Sequence, residues 1–388
     1  MRKQHYLPVI ALISLSLSAC LSESPSTDGP LGASRLAGLL RGEPAAGYAL
    51  AEAPRAFEFP ADHGPHRAFR NEWWYVTGNL DDEAGRRYGY ELTLFRFALA
   101  PTVATADVDG SQWRSREVFV GHFALTDVRA GRFHVAERFS RPALGLAGAT
   151  GPPVRVWLED WSLAQQQADG AAGARGSWRL HARHGGIAVD LSLAARRGPV
   201  LNGRDGLSRK SHEPGNASYY YSMPRLETQG TVVVDGDTRR VSGLSWLDRE
   251  WGSRGLSASQ QGWDWFALQL DDGSNLMFYQ LRELDGAAHP MSAGTWMPPQ
   301  GEPLYLSRDE VSLEIRDFWD SPAGGRYPMG WRLAVAAQDL SLQVEPVLET
   351  QELDTNVRYW EGAVDVSGER AGKPVRGRGY VELTGYAR

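Results

Sequence analysis

The sequence predicts an all-β protein made of two tandem antiparallel β-barrel domains. In "RRYGYELTLFRFAL", the apolar residues Tyr88, Tyr90, Leu92 and Leu94 alternate with residues of the opposite face, as in strands of an antiparallel sheet. Further runs of strand length follow, separated by Gly, Asp and Pro turns. After Phe57 no long stretch has the one-sided apolar face of a helix. The body of the chain is therefore predicted to be β-sheet.

Composition sets the broad class of the protein. The chain has 388 residues, of which 42% are hydrophobic and 23% are charged, and its formal net charge is −6. This composition is typical of a folded globular protein, and the length suggests two domains. A basic tract is absent from the sequence, which argues against nucleic acid as a partner. Motifs for nucleotides, serine nucleophiles and zinc are absent too, so no cofactor and no metal are predicted.

The N-terminus reads as a lipoprotein signal peptide, residues 1–19. Arg2 and Lys3 precede a short apolar core over residues 7–17, and "LSAC" ends at Cys20. The core is too short for a permanent transmembrane helix. Because Cys20 is the only cysteine, we interpret it as the acylated residue that anchors the protein to a membrane. The alternative is an ordinary secretory peptide with an incidental cysteine.

Residues 20–56 are predicted to be a flexible tether, because their first part is polar and rich in Pro, Gly and Ser. Residue 22 is Ser and not Asp, which in sorted lipoproteins favours the outer membrane. The expected location is therefore the cell envelope, on the outer membrane facing the periplasm.

An internal repeat predicts the division into domains. "WWYVTGNLDD" beginning at Trp73 is echoed without a gap by "WDWFALQLDD" beginning at Trp263, although Trp-rich strands can also match by chance. A loop dense in Gly, Pro and Asn covers residues 197–218. The predicted domains are residues 57–210 and 211–388, with Trp73 and Trp263 at equivalent positions.

Several ordered motifs carry a resemblance to a known family. They are "NEWWYVTGNL", "YYSMPRL", "GLSWLDREWGS", "GWDWFALQLDDG", "YWEGAV" and "GRGYVELTGY". Over about residues 57–388 the chain resembles the AttH/CrtC family, which includes carotenoid 1,2-hydratase. The resemblance implies two lipocalin-like β-barrel domains. Fungal cyclases resemble the same architecture, so the fold alone does not set the chemistry.

Asp248 is the first candidate for a catalytic proton donor. Adding water to an isolated C=C bond requires a carboxylic acid that stays protonated and protonates carbon. Desolvation among aromatic rings favours the neutral acid, and ring faces stabilise a cation. Asp248 in "SWLDREWG" and Asp264 in "GWDWF" both have Trp neighbours, and Asp264 is the second candidate. The resemblance places Asp248 where the hydratases carry an aspartate after an aromatic residue.

Both aspartates also have a structural interpretation, as buried corners that accept indole or backbone N–H groups. For Glu72 we expect this role: it should hold the indole of Trp73 or Trp74. Aromatic residues close to the two aspartates are the candidate ligand-binding residues, although aromatic residues also fill barrels. They are Trp246, Trp251, Tyr219, Tyr221, Trp263 and Trp265.

Three functions remain open at this point. The first is an anchored protein that binds a hydrophobic small molecule, such as a lipid or isoprenoid, and serves an ABC-type permease, as the resemblance implies. The second is a hydratase-like or cyclase-like enzyme acting on C=C bonds of an isoprenoid or polyene. The third is a structural envelope protein. The hydratases have a His and a Trp upstream of their aspartate, whereas this chain has Tyr219, Tyr220 and Tyr221 there. This difference and the anchor favour binding.

The lipid anchor can be tested by metabolic labelling with palmitate. The wild-type protein should incorporate the label, and Cys20→Ala should lose the label and be released from membranes, because no other cysteine is present. Label that persists in Cys20→Ala would contradict the assignment.

Overall fold

The computed structural model describes residues 46–101, 115–166 and 176–387. Within these ranges the protein is nearly all strand and has no α-helix, which confirms the all-β prediction. The helical turns are four short 3-10 segments: Ala61–His63, Ala143–Gly145, Arg308–Glu310 and Ala336–Gln338. In the described ranges no helix is both long and apolar enough to span a membrane. Cys20 and the predicted signal peptide lie outside the described residues.

The first sheet has thirteen antiparallel strands in the order β4-β3-β2-β1-β13-β12-β9-β8-β7-β6-β5, and β10 and β11 also pair with β12. The strands are β1 (Asn71–Asp82), β2 (Arg87–Ala98), β3 (Glu117–Asp127), β4 (Arg132–Ser140), β5 (Ala147–Thr150), β6 (Arg155–Leu158), β7 (Trp161–Gln166), β8 (Ser177–His184), β9 (Ile187–Ala195), β10 (Val200–Leu201), β11 (Leu207–Arg209), β12 (Ala217–Val234) and β13 (Asp237–Gly252).

The second sheet has ten strands in the order β17-β16-β15-β14-β23-β22-β20-β19-β18, and β21 pairs with β22. They are β14 (Gln260–Leu270), β15 (Asn275–Glu283), β16 (Ala293–Met297), β17 (Leu304–Ser307), β18 (Ser312–Asp320), β19 (Arg326–Val335), β20 (Leu340–Pro346), β21 (Glu352–Leu353), β22 (Tyr359–Arg370) and β23 (Lys373–Leu383). Both sheets curl, giving a barrel and a half-barrel, as the sequence predicted.

The two sheets share one plan. β1 pairs with the next strand, β2, and with the last strand of its sheet, β13. β14 likewise pairs with β15 and with the last strand, β23. Trp73 and Trp263 therefore lie near the start of topologically equivalent strands. The chain passes from one sheet to the other between Gly252 and Gln260, and β12 and β13 belong to the first sheet. The boundary expected at residue 210 thus differs from the change of sheets.

Side-chain alternation assigns one face of each central strand to its own sheet's core and the other face to the layer between the sheets. In β1, Trp74 and Val76 join the core of the first sheet, whereas Tyr75 packs between the sheets. In β14, Phe266 belongs to the core of the second sheet and Trp265 to the intervening layer. The alternation places a third apolar cluster between the sheets, and this layer contains the candidate site.

The end of the predicted tether is bound to the first sheet. Tyr48 donates to the carbonyl of Ala98 at 3.0 Å, and Ala49 N–H donates to Ala68 at 2.9 Å. Ala51 is buried in the first core. Residues 48–51 therefore form part of the folded body, which corrects the expectation of a free tether for this stretch.

Glu72 is held by two buried arginines. Arg96 Nε donates to Glu72, and Arg249 Nη2 donates to it at 2.7 Å. Burial acts to raise the pKa of Glu72, but the positive charges of Arg96 and Arg249 outweigh it and hold that pKa below its usual value. The expected contact with an indole was wrong, because Trp74 Nε1 instead donates to the carbonyl of His63 at 2.9 Å.

Glu72→Ala should lower the free energy of unfolding by about 3–5 kcal/mol, because it leaves the buried Arg249 without its counter-ion and Arg96 with Glu117 as its remaining carboxylate partner. Thermal and urea denaturation measure this loss. The matched control is Glu83→Ala, which removes an exposed carboxylate from the same region and should leave stability within about 0.5 kcal/mol. Equal stability of the two variants would contradict the structural role of Glu72.

Candidate active site

Asp248 lies on β13, in the middle of the first sheet, and its side chain faces the second sheet. Its Cα neighbours are Tyr75 on β1 and Ser222 on β12. Ser222 Oγ donates to Asp248 Oδ1 at 2.5 Å, and Trp246 Nε1 donates to the same oxygen at 2.6 Å. Tyr220 donates to Oδ2. A carboxylate has about four acceptor positions, so one position on Oδ2 remains for a proton.

Burial governs the protonation of Asp248, which is 3% exposed. Burial raises the pKa of Asp248 to about 7, although hydrogen bonds from Ser222, Tyr220 and Trp246 oppose the rise. The charge of Glu250 adds to the increase. A carboxyl group with this pKa exchanges a proton readily at neutral pH.

Aromatic rings surround this carboxyl group. Trp265 of the second sheet donates from Nε1 to Tyr220 Oη at 3.0 Å. Its ring meets Tyr75 edge-on at a centroid distance of 5.1 Å and Trp246 at 6.4 Å. Tyr220 therefore receives a hydrogen bond from one sheet and donates one to Asp248 in the other. These contacts hold the carboxyl group of Asp248 among aromatic side chains.

Lys210 is a cation that lies beside these aromatic side chains. Its Nζ lies 2.9 Å from Glu250 Oε1 and 4.6 Å from the centre of the Tyr279 ring. Burial acts to lower the pKa of Lys210, but the charge of Glu250 and other acidic neighbours raises it above its usual value. Lys210 and Glu250 thus form a mutually neutralised pair.

The second sheet contributes two adjacent glutamates. Glu361 on β22 is the Cα partner of Glu382 on β23, and Trp265 on β14 is the next partner in the same row. Burial raises the pKa of Glu382 to about 7, opposed by a hydrogen bond with Trp263 and assisted by the charges of Glu250 and Asp248. Glu382 is half-buried, so this row of residues is in contact with solvent at Glu382.

The candidate ligand-binding residues divide between two places. Trp246 and Trp265 line the Asp248 site, and Trp263 lies half-buried beside Glu382 in the same layer. The other three, Trp251, Tyr219 and Tyr221, project into the core of the first sheet.

Those three residues contact the segment before β1, at Ala53, His63 and His66. Tyr221 Oη lies 2.5 Å from His63 Nδ1, and Trp251 stacks on His66 at a centroid distance of 3.7 Å. Tyr219 donates to the carbonyl of Ala53 at 2.9 Å. Their neighbours identify them as packing residues away from Asp248.

Asp264 faces the interior of the second sheet. Arg282 Nε donates to Asp264 Oδ1 at 2.9 Å, and Tyr386 donates to the same oxygen at 3.0 Å. Burial raises the pKa of Asp264 against the opposing charge of Arg282. The alternation of β14 thus separates Asp264 from Asp248, and its contacts match its structural interpretation.

The sequence analysis did not identify the acidic residues Glu91, Glu361 and Glu382. Glu361 and Glu382 occur in the quoted motifs "YWEGAV" and "GRGYVELTGY". A glutamate between apolar residues of a strand was the available signal, but pairing across strands was needed to bring these residues together. Within the described ranges, no group of three His, Cys, Asp or Glu side chains is arranged to hold a metal ion.

A cleft of about 630 Å³ lies at the other end of β1 and β14, where Asn79 and Gln269 line it. Within it, Arg378 pairs with Asp81 at 2.5 Å. It does not include Asp248. The perturbed carboxyl groups therefore identify the candidate site better than the size of the opening does.

Comparison with known proteins agrees with this architecture. The profile of the AttH-like family matches residues 50–386. The crystal structure of an AttH-type protein from Nitrosomonas europaea is 33% identical, and the match covers 87% of this chain and 100% of that chain with a TM-score of 0.76. Kievitone hydratase from Nectria haematococca shares the fold at 16% identity, covering 90% and 98% of the two chains with a TM-score of 0.63.

A curated relative is the dehydratase AsqC of Emericella nidulans, 22% identical over 216 residues. That match covers 53% of this chain and 60% of the relative, so the chain spans somewhat under two thirds of the relative's length. The family profile covers nearly the whole described body. The chain therefore belongs to the AttH-like family.

Proposed function

We propose that the protein is a hydratase-like lyase, which adds water to or removes water from a C=C bond of a largely apolar substrate. The observation that carries the proposal is the pair Asp248 and Glu382. They approach from opposite sheets, and both have a pKa near 7 in an aromatic layer. Addition and elimination of water both require a proton donor and a proton acceptor on the same substrate.

In the hydration direction, neutral Asp248 delivers its proton to one carbon of the double bond. Ionised Glu382 removes a proton from water as the water oxygen bonds to the other carbon. Dehydration follows the same path in reverse. The rings of Trp246 and Trp265 exclude bulk water around Asp248, and they stabilise positive charge that develops on carbon. The half-buried position of Glu382 suits the water side of the reaction.

The relatives support this enzyme class over the other functions considered. One is a hydratase and another a dehydratase, two directions of one type of reaction. Ligand carriage for an ABC-type permease, the lipid anchor at Cys20 and the outer-membrane location stay predictions. A carrier would use the same apolar layer without the acid and base.

Asp248→Asn and Glu382→Gln should each lower turnover by about 10²–10⁴-fold, because each removes one proton transfer. The assay incubates the protein with acyclic isoprenoids and other neutral alkenes and alcohols, and follows gain or loss of one water by mass spectrometry. Asp264→Asn is the matched control, since its turnover should fall only with its folded fraction. Wild-type rates in Asp248→Asn would contradict the proposal, and binding without any product would favour the carrier.

Stability should fall as pH rises from about 4 to 7. The folded-state pKa of Asp248, about 7, is above its usual value of 3.8 in an unfolded chain. The neutral acid is therefore stabilised below the unfolded pKa, and that contribution is lost as pH rises through 7, at about 1.4 kcal/mol for each pKa unit. Glu250, Glu382 and Lys210 share this environment. Thermal melting of Asp248→Asn should give a shallower pH dependence than wild type; identical curves would contradict the raised pKa.

A further inference from the structure

Four polar groups deep between the sheets have atoms that make no hydrogen bond of regular geometry with the described residues. The hydroxyls of Tyr75 and Tyr359 lie beside Glu361, and Thr126 lies beside Tyr380. Neither oxygen of Glu361 accepts a hydrogen bond of regular geometry from the part of the chain that is described. Glu91 Oε2 and the hydroxyls of Tyr75 and Tyr380 also make no hydrogen bond of regular geometry there. All four side chains are less than one tenth exposed. A buried polar group without a partner destabilises the folded protein. Such a concentration of unpaired groups points to a ligand or to bound water.

These groups come from both sheets and converge on Glu361. Tyr75 on β1 and Glu91 on β2 face it from the first sheet, and Tyr380 belongs to the neighbouring strand β23. Burial raises the pKa of Glu361, and the charges of Glu91 and Glu382 raise it further. Burial also raises the pKa of Glu91 well above its usual value.

The raised pKa of Glu361 and of Glu91 favours the neutral form, in which each carboxyl group has one O–H donor. Together with the two phenols, the cluster offers several O–H donors and no positive charge. A carboxylic acid kept neutral by its surroundings can hydrogen-bond the oxygen of an enolate, as can a phenol. Lys210 is neutralised by Glu250, so the site gives no advantage to a carboxylate or phosphate substrate.

We propose that Tyr75, Tyr380 and Glu361 bind the carbonyl oxygen of the substrate, which is a neutral α,β-unsaturated carbonyl compound or the corresponding β-hydroxy carbonyl compound. The proposal rests on the hydratase-like function, and it defines the substrate class. The donors hold negative charge on oxygen, while Asp248 and Glu382 handle the protons. Trp73 and Trp263 are half-buried and pack against the same layer.

In the dehydration direction, ionised Asp248 takes the proton from the carbon next to the carbonyl, and the C–H electron pair moves towards the carbonyl to give an enolate. The O–H groups of Tyr75, Tyr380 and Glu361 hold the enolate oxygen. The carbonyl then re-forms, the new C=C bond forms, and the C–O bond of the β-hydroxyl breaks. Neutral Glu382 protonates the departing hydroxyl, which leaves as water.

The test uses 4-nitrophenol, whose ionised form carries its charge on one oxygen as an enolate does, and whose absorbance reports ionisation. The full-length protein should bind the phenolate, and Tyr75→Phe and Tyr380→Phe should each weaken binding by about 10- to 100-fold, the loss of one hydrogen bond to a charged group. Glu361→Met should weaken it similarly. Affinity for 4-nitroanisole, which lacks the ionisable hydroxyl, should stay unchanged.

Tyr90→Phe is the matched control. Tyr90 adjoins Glu91 in the chain, but it faces the first core and bonds Ser245 Oγ at 2.6 Å, so its loss should not alter phenolate affinity. Failure of the wild type to bind the phenolate, or equal affinity in wild type, Tyr75→Phe and Tyr380→Phe, would overturn the carbonyl site.

Asp248→Asn should bind the phenolate with wild-type affinity and lose turnover. If Asp248→Asn instead keeps its turnover, the proposed function is wrong, whether or not the protein binds the phenolate.

Discussion

The layer between the two sheets contains carboxyl groups that have lost water without gaining a matching set of cations. A buried, unpaired carboxylate is costly, and the usual response is to hold a proton. The pKa values of Asp248, Glu361, Glu382 and Glu91 are all raised, and Lys210 pairs with Glu250. The layer therefore contains carboxyl groups that bind protons more tightly than exposed carboxyl groups do, next to aromatic rings. The proposed acid chemistry at neutral pH depends on this raised pKa of buried carboxyl groups. The two sheets enclose the layer that contains them.

Acids on the opposite faces of the same two sheets have cationic partners. Glu72 meets Arg96 and Arg249, and Asp264 meets Arg282. In each sheet an arginine on the second strand pairs with a carboxylate on the first, so the repeated plan conserves charge pairing inside the sheets. In the sequence, an Asp or Glu next to Trp can have either a structural or a catalytic role. The partners of each acid in the structure distinguish these two roles. An acid paired with a buried arginine holds a strand in place, whereas an acid without a cationic partner is available to exchange protons.

Period-two alternation and the repeat were enough to predict the all-β class and the two barrels, because both signals are local or nearly so. The choice of Asp248 as the acid also followed from local aromatic neighbours. Alternation in β12 separates Tyr220, which bonds Asp248, from Tyr219 and Tyr221, which face the first core. Which face points to the second sheet depends on long-range packing, and the pairing of Glu361 with Glu382 depends on strand register. Neither is encoded within a short segment.

Placing the site between sheets explains how one fold can serve different chemistries. The cores of the sheets keep the architecture, and the residues of the facing rows are free to vary without unfolding either core. In this chain the first row contains Ser222, Asp248 and Tyr75, and the second contains Trp265 and Glu382. Under the proposed function, changing a single acid in these rows would alter the reaction, whereas changing Glu72 would lower the stability of the fold. Resemblance between whole chains therefore transfers the barrels reliably, and the substrate has to be deduced from the rows themselves.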